Sequence, residues 1–271
     1  MYETRRTTLC DVRSTVAFQP NEHLPRFQCI FDAFLEHVAT RLPELTDPLR
    51  DLAKCRFRNL VEDSDVRRNL AGFEALLPPL DDLQRSRLEY VLDLLHVHGD
   101  AVADEIDVTR IDLTRARLLP MYYQMLSLCD LIGRTEAIPF VEAYVDRWMA
   151  EQTRTDNALE DPGRFWDALE APVHETGEIA ARLHRGKIAF RVARCLWADV
   201  MQPLGDAELS HALTCYGDFP QIAAINPNFV LTRTMTLMQG APYCDTCIHD
   251  RRHVGSIEHP SREFFESLGV G

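Results

Sequence analysis

The spacing of apolar residues changes once along this chain, from helical steps to strand alternation. From Leu24 to Leu42, the residues Phe27, Ile30, Phe31, Phe34, Leu35, Val38 and Leu42 recur at three- and four-residue steps, which marks one buried helix face. Asp47-Pro48 places a capping residue before a proline at the first helical position and predicts a second helix to about Leu60. Ser64 is expected to cap a short helix. Pro78-Pro79 interrupts the chain, and a helix is predicted from about Asp81 to His98, stopped by Gly99. Residues 110–133 predict a long helix with Pro120 as a kink or boundary and Gly133 as its end. Thr135 caps the next, which presents Phe140, Val141, Tyr144, Val145 and Trp148. Residues 1–22 show little periodicity and read as an extended lead-in, and the polar stretch 152–161 reads as a loop.

Beyond a short helix around 164–169, the period shortens. Gly186 to Cys195 alternates Ile188, Phe190 and Val192 against Lys187 and Arg191, which predicts a half-buried strand. Trp197 to Leu204 reads as helix ended by Gly205, Glu208 to Tyr216 fits either helix or strand, and Asp218-Phe219-Pro220 opens a short helix to Ile225. Asn226 to Asp250 reads as a β-hairpin with a first arm from Phe229 to Met238, a breaker cluster at Gln239-Gly240-Ala241-Pro242 and a second arm from Tyr243. On such an arm Leu231, Arg233, Met235 and Leu237 share a face. An arginine in an apolar register must find a carboxylate, a bound anion or solvent. Ser261 caps a last amphipathic turn with Phe264, Phe265 and Leu268. The expected fold is α+β: an N-terminal helical region over 1–108, then a domain over 109–271 with a small antiparallel sheet packed by helices.

Composition narrows the partners. A chain of 271 residues can bury a full core, and its 46% hydrophobic content is ordinary for a globular protein. A formal net charge of −13 argues against nucleic acid or an anionic membrane as partner, because both need a basic footprint. No apolar run has transmembrane length, and Arg5-Arg6 is followed by polar residues, so a cytoplasmic location is expected. The eight cysteines are scattered through apolar patterns and read as reduced thiols rather than a disulfide framework. The apolar faces leave room for a homodimer without fixing its symmetry.

Several groups carry candidate chemistry. Cys244-x-x-Cys247 with His249 invites zinc, but residues three apart on a strand point to opposite faces, so the expected cofactor is none. His96-Val97-His98 sits at an expected helix C-terminus, where the dipole and the C-cap explain it. Cys195, Cys215 and Cys244 are candidate nucleophiles only where the surroundings lower a thiol pKa; otherwise they are small buried residues. Asp218 is a general base or an N-cap, and Glu208 is a base, a partner of Arg233 or a solvated helix residue.

These residues also form a longer pattern. Cys195-Leu196-Trp197-Ala198, Leu204-Gly205, Glu208-Leu209, Cys215-x-x-Asp218-Phe219, Asn226-Pro227, Arg233-Thr234-x-Thr236-Leu237-Met238-x-Gly240 and Cys244-Asp245 resemble the signature of the L-2-amino-thiazoline-4-carboxylic acid hydrolase family. The resemblance covers roughly residues 110 to 250 and is densest from 186 to 245. It implies hydrolysis of a C–N bond in a small cyclic amidine, lactam or related ring. At these positions Arg233, an arginine on an apolar strand face, is the expected clamp for a substrate carboxylate, and Cys244 is expected in a covalent or acid role, Asp218 as base or orienter and Glu208 as a further catalytic candidate. Asn226, Thr234, Thr236, Trp197 and Cys195 become substrate-binding candidates. After Cys244-Asp245, where relatives carry an aromatic and a basic tail, this chain reads Thr246-Cys247-Ile248-His249, which implies a substrate other than the family's namesake. The hairpin is also similar to 4-vinyl-reductase-like small-molecule-binding domains, which implies the alternative of a non-catalytic binding module.

Overall fold

The computed structural model describes residues 3–61, 70–97, 105–153, 175–183 and 186–268. The expected Ser64 cap, the His98-Gly99-Asp100 stretch, the short helix around 164–169 and most of the 152–161 loop lie outside the described residues. The chain divides into two compact units, Asp11–Phe140 on the one hand and Met1–Cys10 with Val141–Gly271 on the other.

The 11–140 unit is mostly helical. Its helices are α1 (Pro20–Arg41), α2 (Thr46–Leu60), α3 (Leu70–Glu74), α4 (Asp82–Leu94) and α5 (Arg110–Ile132). The phenylalanine stripe read from the sequence is the buried face of α1, with Phe31, Phe34 and Val38 at most 1% exposed. Each such side chain stabilises the fold by roughly 1.5–3 kcal/mol relative to exposure. Asp81 caps α4: its side chain accepts the backbone N–H groups of Leu83 and Gln84, and Gln84 answers on the Asp81 backbone. Pro120 does not end α5, which runs unbroken past it. The interior also holds the fully buried Arg87, which donates to Asp32 at 2.5 Å and to Gln124 at 2.6 Å. One part is not helical: β2 (Thr15–Phe18) pairs antiparallel with β3 (Ile106–Thr109), Val16 opposite Val108. Two four-residue strands carry too little alternation to stand out in a sequence.

The division between the units falls inside α6 (Arg134–Gln152). The second unit is built on a five-stranded antiparallel sheet in the order β1-β4-β5-β7-β6. The strands are β1 (Glu3–Arg6), β4 (Thr176–Leu183), β5 (Lys187–Cys195), β6 (Phe229–Arg233) and β7 (Cys244–Asp250). The alternation at Ile188, Phe190 and Val192 is therefore a strand, as expected, and the sheet is antiparallel with helices packed on it. The lead-in at residues 3–6 is an edge strand on β4. Gly186 opens β5 at φ 75, where an added Cβ would stand 2.8 Å from that of His253, so this position requires glycine.

Short helices follow β5: α7 (Leu196–Met201), α8 (Ala207–Ser210), a single π-helical turn at His211–Cys215, and α9 (Asp218–Ile225). On one face of the sheet Ile188, Phe229, Leu231 and Ile248 pack with Ile222 of α9. On the other, Ala181, Ala189 and Cys247 pack with Phe265 and Leu268 of α10 (Arg262–Leu268). Among the described residues, no helix is long and apolar enough to cross a membrane.

The hairpin differs from its expectation. Its first arm is only five residues, ending at Arg233, and a 3-10 turn at Leu237–Gln239 precedes Gly240 at φ 85. The cause is Asp245. Its Oδ1 accepts the backbone N–H of Thr234 at 2.8 Å and of Met235 at 2.7 Å, and its Oδ2 accepts the Thr234 hydroxyl. A carboxylate thus takes the amides that a ladder would have used, and the strand leaves the sheet. Met235 and Leu237 consequently do not continue the strand face of Arg233.

Candidate active site

Strand alternation places Cys244 and Thr246 of β7 on the same face as Phe190 and Val192 of β5 and Glu178 of β4, through the pairs Val192–Cys244, Phe190–Thr246 and Glu178–Val192. Together with Thr214, Cys215 and Asp218 from the π turn and α9, they enclose a cavity of about 300 Å³. Among the described residues, Glu175, Thr176, Cys195, Trp197 and Arg233 also line it. That volume lies at the small end of ligand sites, so it suits a small ring and not an extended cofactor.

One ion pair organises the wall. Arg233 Nη1 donates to Asp218 Oδ2 at 2.6 Å, and Nη2 donates to the carbonyl of Cys215. The guanidinium also lies 5.1 Å from the centre of the Phe219 ring. The Arg233 side chain is 5% exposed, while that of Asp218 is 47% exposed because it borders the cavity. The arginine on an apolar face has found its carboxylate. Asp218 accordingly does not cap α9; it is the first helical residue and turns its side chain to the cavity. Burial raises the Asp218 pKa, and the adjacent guanidinium opposes that rise.

The three thiols in the wall are protonated near neutrality. Burial pushes Cys244 up to about 12 and Cys215 to about 11. Burial also raises Cys195, against the pull of the backbone amides of Ala198 and Trp197. The Leu237 N–H donates to Cys244 Sγ at 3.2 Å, which offsets only part of the desolvation. A thiol near 12 leaves about one part in 10⁵ as thiolate at pH 7, too little for an efficient nucleophile.

Of the residues singled out from sequence, Cys195, Trp197, Cys215, Asp218, Arg233 and Cys244 line this cavity. Other candidates for catalysis or substrate binding do not. Glu208 is an exposed residue of α8. Asn226 accepts the Asn228 N–H at 2.9 Å and shapes the turn before β6. Thr234 is bonded to Asp245, and Thr236 caps the 3-10 turn by accepting from Gln239. The family-like pattern thus mixes cavity residues with residues that set the backbone around them. Sequence reasoning passed over Glu175, Glu178, Phe190, Val192 and Thr246. Phe190 and Val192 were recoverable from the β5 alternation, and Thr246 from its position two residues after Cys244. Nothing local marks the glutamates.

The face behind the cavity holds a second polar group. His259 Nε2 lies 3.1 Å from Asp245 Oδ2, His259 Nδ1 lies 2.8 Å from Thr232 Oγ1, and Thr232 Oγ1 lies 2.8 Å from His249 Nε2. Burial raises the Asp245 pKa on its own, but the bonds from His259, Thr234 and Met235 outweigh it and hold the carboxyl at about 2. Burial drives His249 down to about 4. Cys244 lines the cavity, whereas Cys247 packs under α10 with Phe265, so the two thiols of the CxxC face opposite sides of the sheet. Among the described residues, no group of three or more His, Cys, Asp or Glu side chains is placed to hold a metal ion.

The family model for L-2-amino-thiazoline-4-carboxylic acid hydrolase matches residues 113–248, half of the chain and every residue of the cavity wall. Neither the curated proteins nor the solved structures contain a match to the chain.

Proposed function

The chain belongs to the L-2-amino-thiazoline-4-carboxylic acid hydrolase family, and on that premise we propose that it is a hydrolase opening a C–N bond of a small ring in the cavity beside Asp218. The observation that carries this reading is the Asp218–Arg233 pair. A carboxylate of raised pKa borders a ring-sized cavity, and a buried guanidinium fixes it there. Higher basicity and fixed geometry are what water activation needs.

Water adds to the ring carbon of the C=N or C=O unit, the π pair moves to the heteroatom, and Asp218 takes one of the water protons. As the ring C–N bond breaks, the electron pair goes to nitrogen, which takes the proton held on Asp218. The new hydroxyl becomes a carbonyl and its proton leaves with the amine. Arg233 is a positioning residue in this scheme. It donates from Nη1 to Asp218 and from Nη2 to the Cys215 carbonyl and so fixes the base, while each Nη keeps a second N–H. Cys244 remains a neutral thiol in the wall, available as a weak proton donor.

The test is a panel of cyclic amidines and lactams incubated with the full chain, with release of a primary amine followed over time. Turnover of at least one ring is expected, with kcat/KM falling roughly 10²–10⁴-fold in Asp218→Asn. Recovery of every ring unchanged, with one of them bound, would make the protein a non-catalytic binding module.

A further inference from the structure

Arg233 is held from the face of the sheet opposite to the one it serves. Alternation on β6 turns the Arg233 side chain to the cavity and that of Thr232 to the other face, through the pairs Arg233–Thr246 and Thr232–Cys247. Thr234 turns the same way as Thr232, because its hydroxyl donates to Asp245 Oδ2. Both chain neighbours of Arg233 are thus anchored on the far side of the sheet from its guanidinium. Arg233 is also the last residue of β6, and beyond it Asp245 rather than a ladder takes the backbone N–H groups of Thr234 and Met235.

One imidazole reaches both anchors. His259 Nδ1 lies 2.8 Å from Thr232 Oγ1, and His259 Nε2 lies 3.1 Å from Asp245 Oδ2, the oxygen that also accepts the Thr234 hydroxyl. These bonds fix the tautomer. An ionised carboxylate only accepts, so Nε2 of the neutral ring carries the proton and Nδ1 accepts from the Thr232 hydroxyl. His249 Nε2, 2.8 Å from the same hydroxyl, then donates to it. Donation runs in one direction, from His249 through Thr232 and His259 to Asp245. The His259 ring stacks on Phe265 with centroids 5.3 Å apart, and its side chain is 17% exposed.

We infer that His259 is a positioning residue for the site: by bonding Thr232 directly and Thr234 through Asp245, it fixes the backbone on either side of Arg233 and so aims the guanidinium at Asp218. The coupling runs through the β6 backbone and its hydrogen bonds, not through the packing of α10 on the sheet. His259 lies past residue 248, where the family match ends, so this support is outside the matched pattern. Its bearing on catalysis rests on the reading of Asp218 as the base.

The experiment reads the Asp218 titration directly, by carboxyl-carbon NMR of the full-length protein with labelled aspartate, the resonance being assigned by its loss in Asp218→Asn. The guanidinium lowers this midpoint, so a guanidinium that loses its aim lets it rise. His259→Phe keeps a ring on Phe265 and removes both bonds; it is expected to raise the midpoint by about 1 pH unit. Thr232→Val removes the hydroxyl alone and is expected to raise it by about 0.5 pH unit. His259→Gln, whose amide still donates to Asp245, is expected to recover part of the shift. With a ring that the protein opens, kcat is expected to fall roughly tenfold in His259→Phe with KM within about twofold, since the imidazole is not in the cavity wall. If His259→Phe does not fold, Thr232→Val carries the comparison. Midpoints unmoved in the folded variants, whatever their melting temperatures, overturn the inference and leave His259 a purely structural residue. Raised midpoints in a protein that opens no ring remove the hydrolase reading and leave the aiming of Arg233 standing. Ring opening by a parent whose variants titrate unchanged does the reverse.

Discussion

Two aspartates separate the two faces of one sheet. Asp218 borders the cavity, pairs with a single guanidinium and has its pKa raised by burial. Asp245, on β7, points to the other face, where Thr234, Met235 and His259 donate to it and hold it at about 2. The carboxyl chemistry is identical; the number of donors decides the outcome. A fully satisfied carboxylate is a structural device that ties down the loop after β6 and the segment before α10. An incompletely satisfied one beside a cavity keeps its capacity to take a proton. Strand alternation lets one strand supply both faces, with Cys244 and Thr246 on one side and Asp245, Cys247 and His249 on the other.

The sharpest way to break this comparison is to remove the guanidinium. Arg233→Met leaves Asp218 without its partner and the Cys215 carbonyl without its donor. A loss of about 1–3 kcal/mol is expected in urea unfolding, because the carboxylate left behind is half-exposed. The Asp218 pKa rises further, so the acid limb of any pH–rate profile moves up. An unmoved limb would show that Asp218 does not set it. On the other face Phe265→Ala empties a fully buried site under α10 and is expected to cost about 3–5 kcal/mol. It leaves kcat/KM of the folded fraction within a few-fold, and a collapse of activity would mean that the faces are coupled.

Acid titration probes the sealed face, together with His211, whose pKa burial also lowers. His249 falls from the ordinary 6.5 to about 4, so the unfolded chain takes its proton first. Stability is fully present above pH 6.5 and drops by about 3 kcal/mol as pH falls to about 4. Asp245 falls from 3.8 to about 2, which adds a loss of about 2 kcal/mol over that lower window. Urea midpoints measured from pH 7 to pH 3 should show the first decline, and His249→Gln should flatten it; an unchanged slope in the variant contradicts the assignment. The smallest effect is expected at Cys244. Cys244→Ser keeps a neutral hydroxyl where a neutral thiol stood and should lower kcat/KM by less than about tenfold. A loss of several thousandfold would instead identify a covalent nucleophile.

Much of the architecture was legible because it depends on local repeats. The stripe on α1 and the alternation in β5 follow from periods of 3.6 and 2, which a single segment displays. The edge strand at Glu3–Arg6 was hidden, because a short charged strand at a sheet edge shows no apolar pattern and exists only through its pairing with β4. The strand at Thr176–Leu183 was hidden for a related reason: its Ala180-Ala181 centre reads as helix former and is held extended by neighbours on both sides. The short first arm of the hairpin was overestimated because a side chain eleven residues downstream from Thr234, Asp245, takes its amides.

By itself, the sequence determined the α+β class, the family and the oddity of Arg233, an arginine that had to find an anion. Only the tertiary structure decided which anion. Asp218 lies fifteen residues before Arg233, and nothing local to either position announces the pair. The same holds for the wall: Glu175 and Glu178 meet Asp218 only because the fold brings them to one cavity. Charge type is written residue by residue, whereas net charge at a point in space is a sum over groups that the fold alone brings within reach of one another.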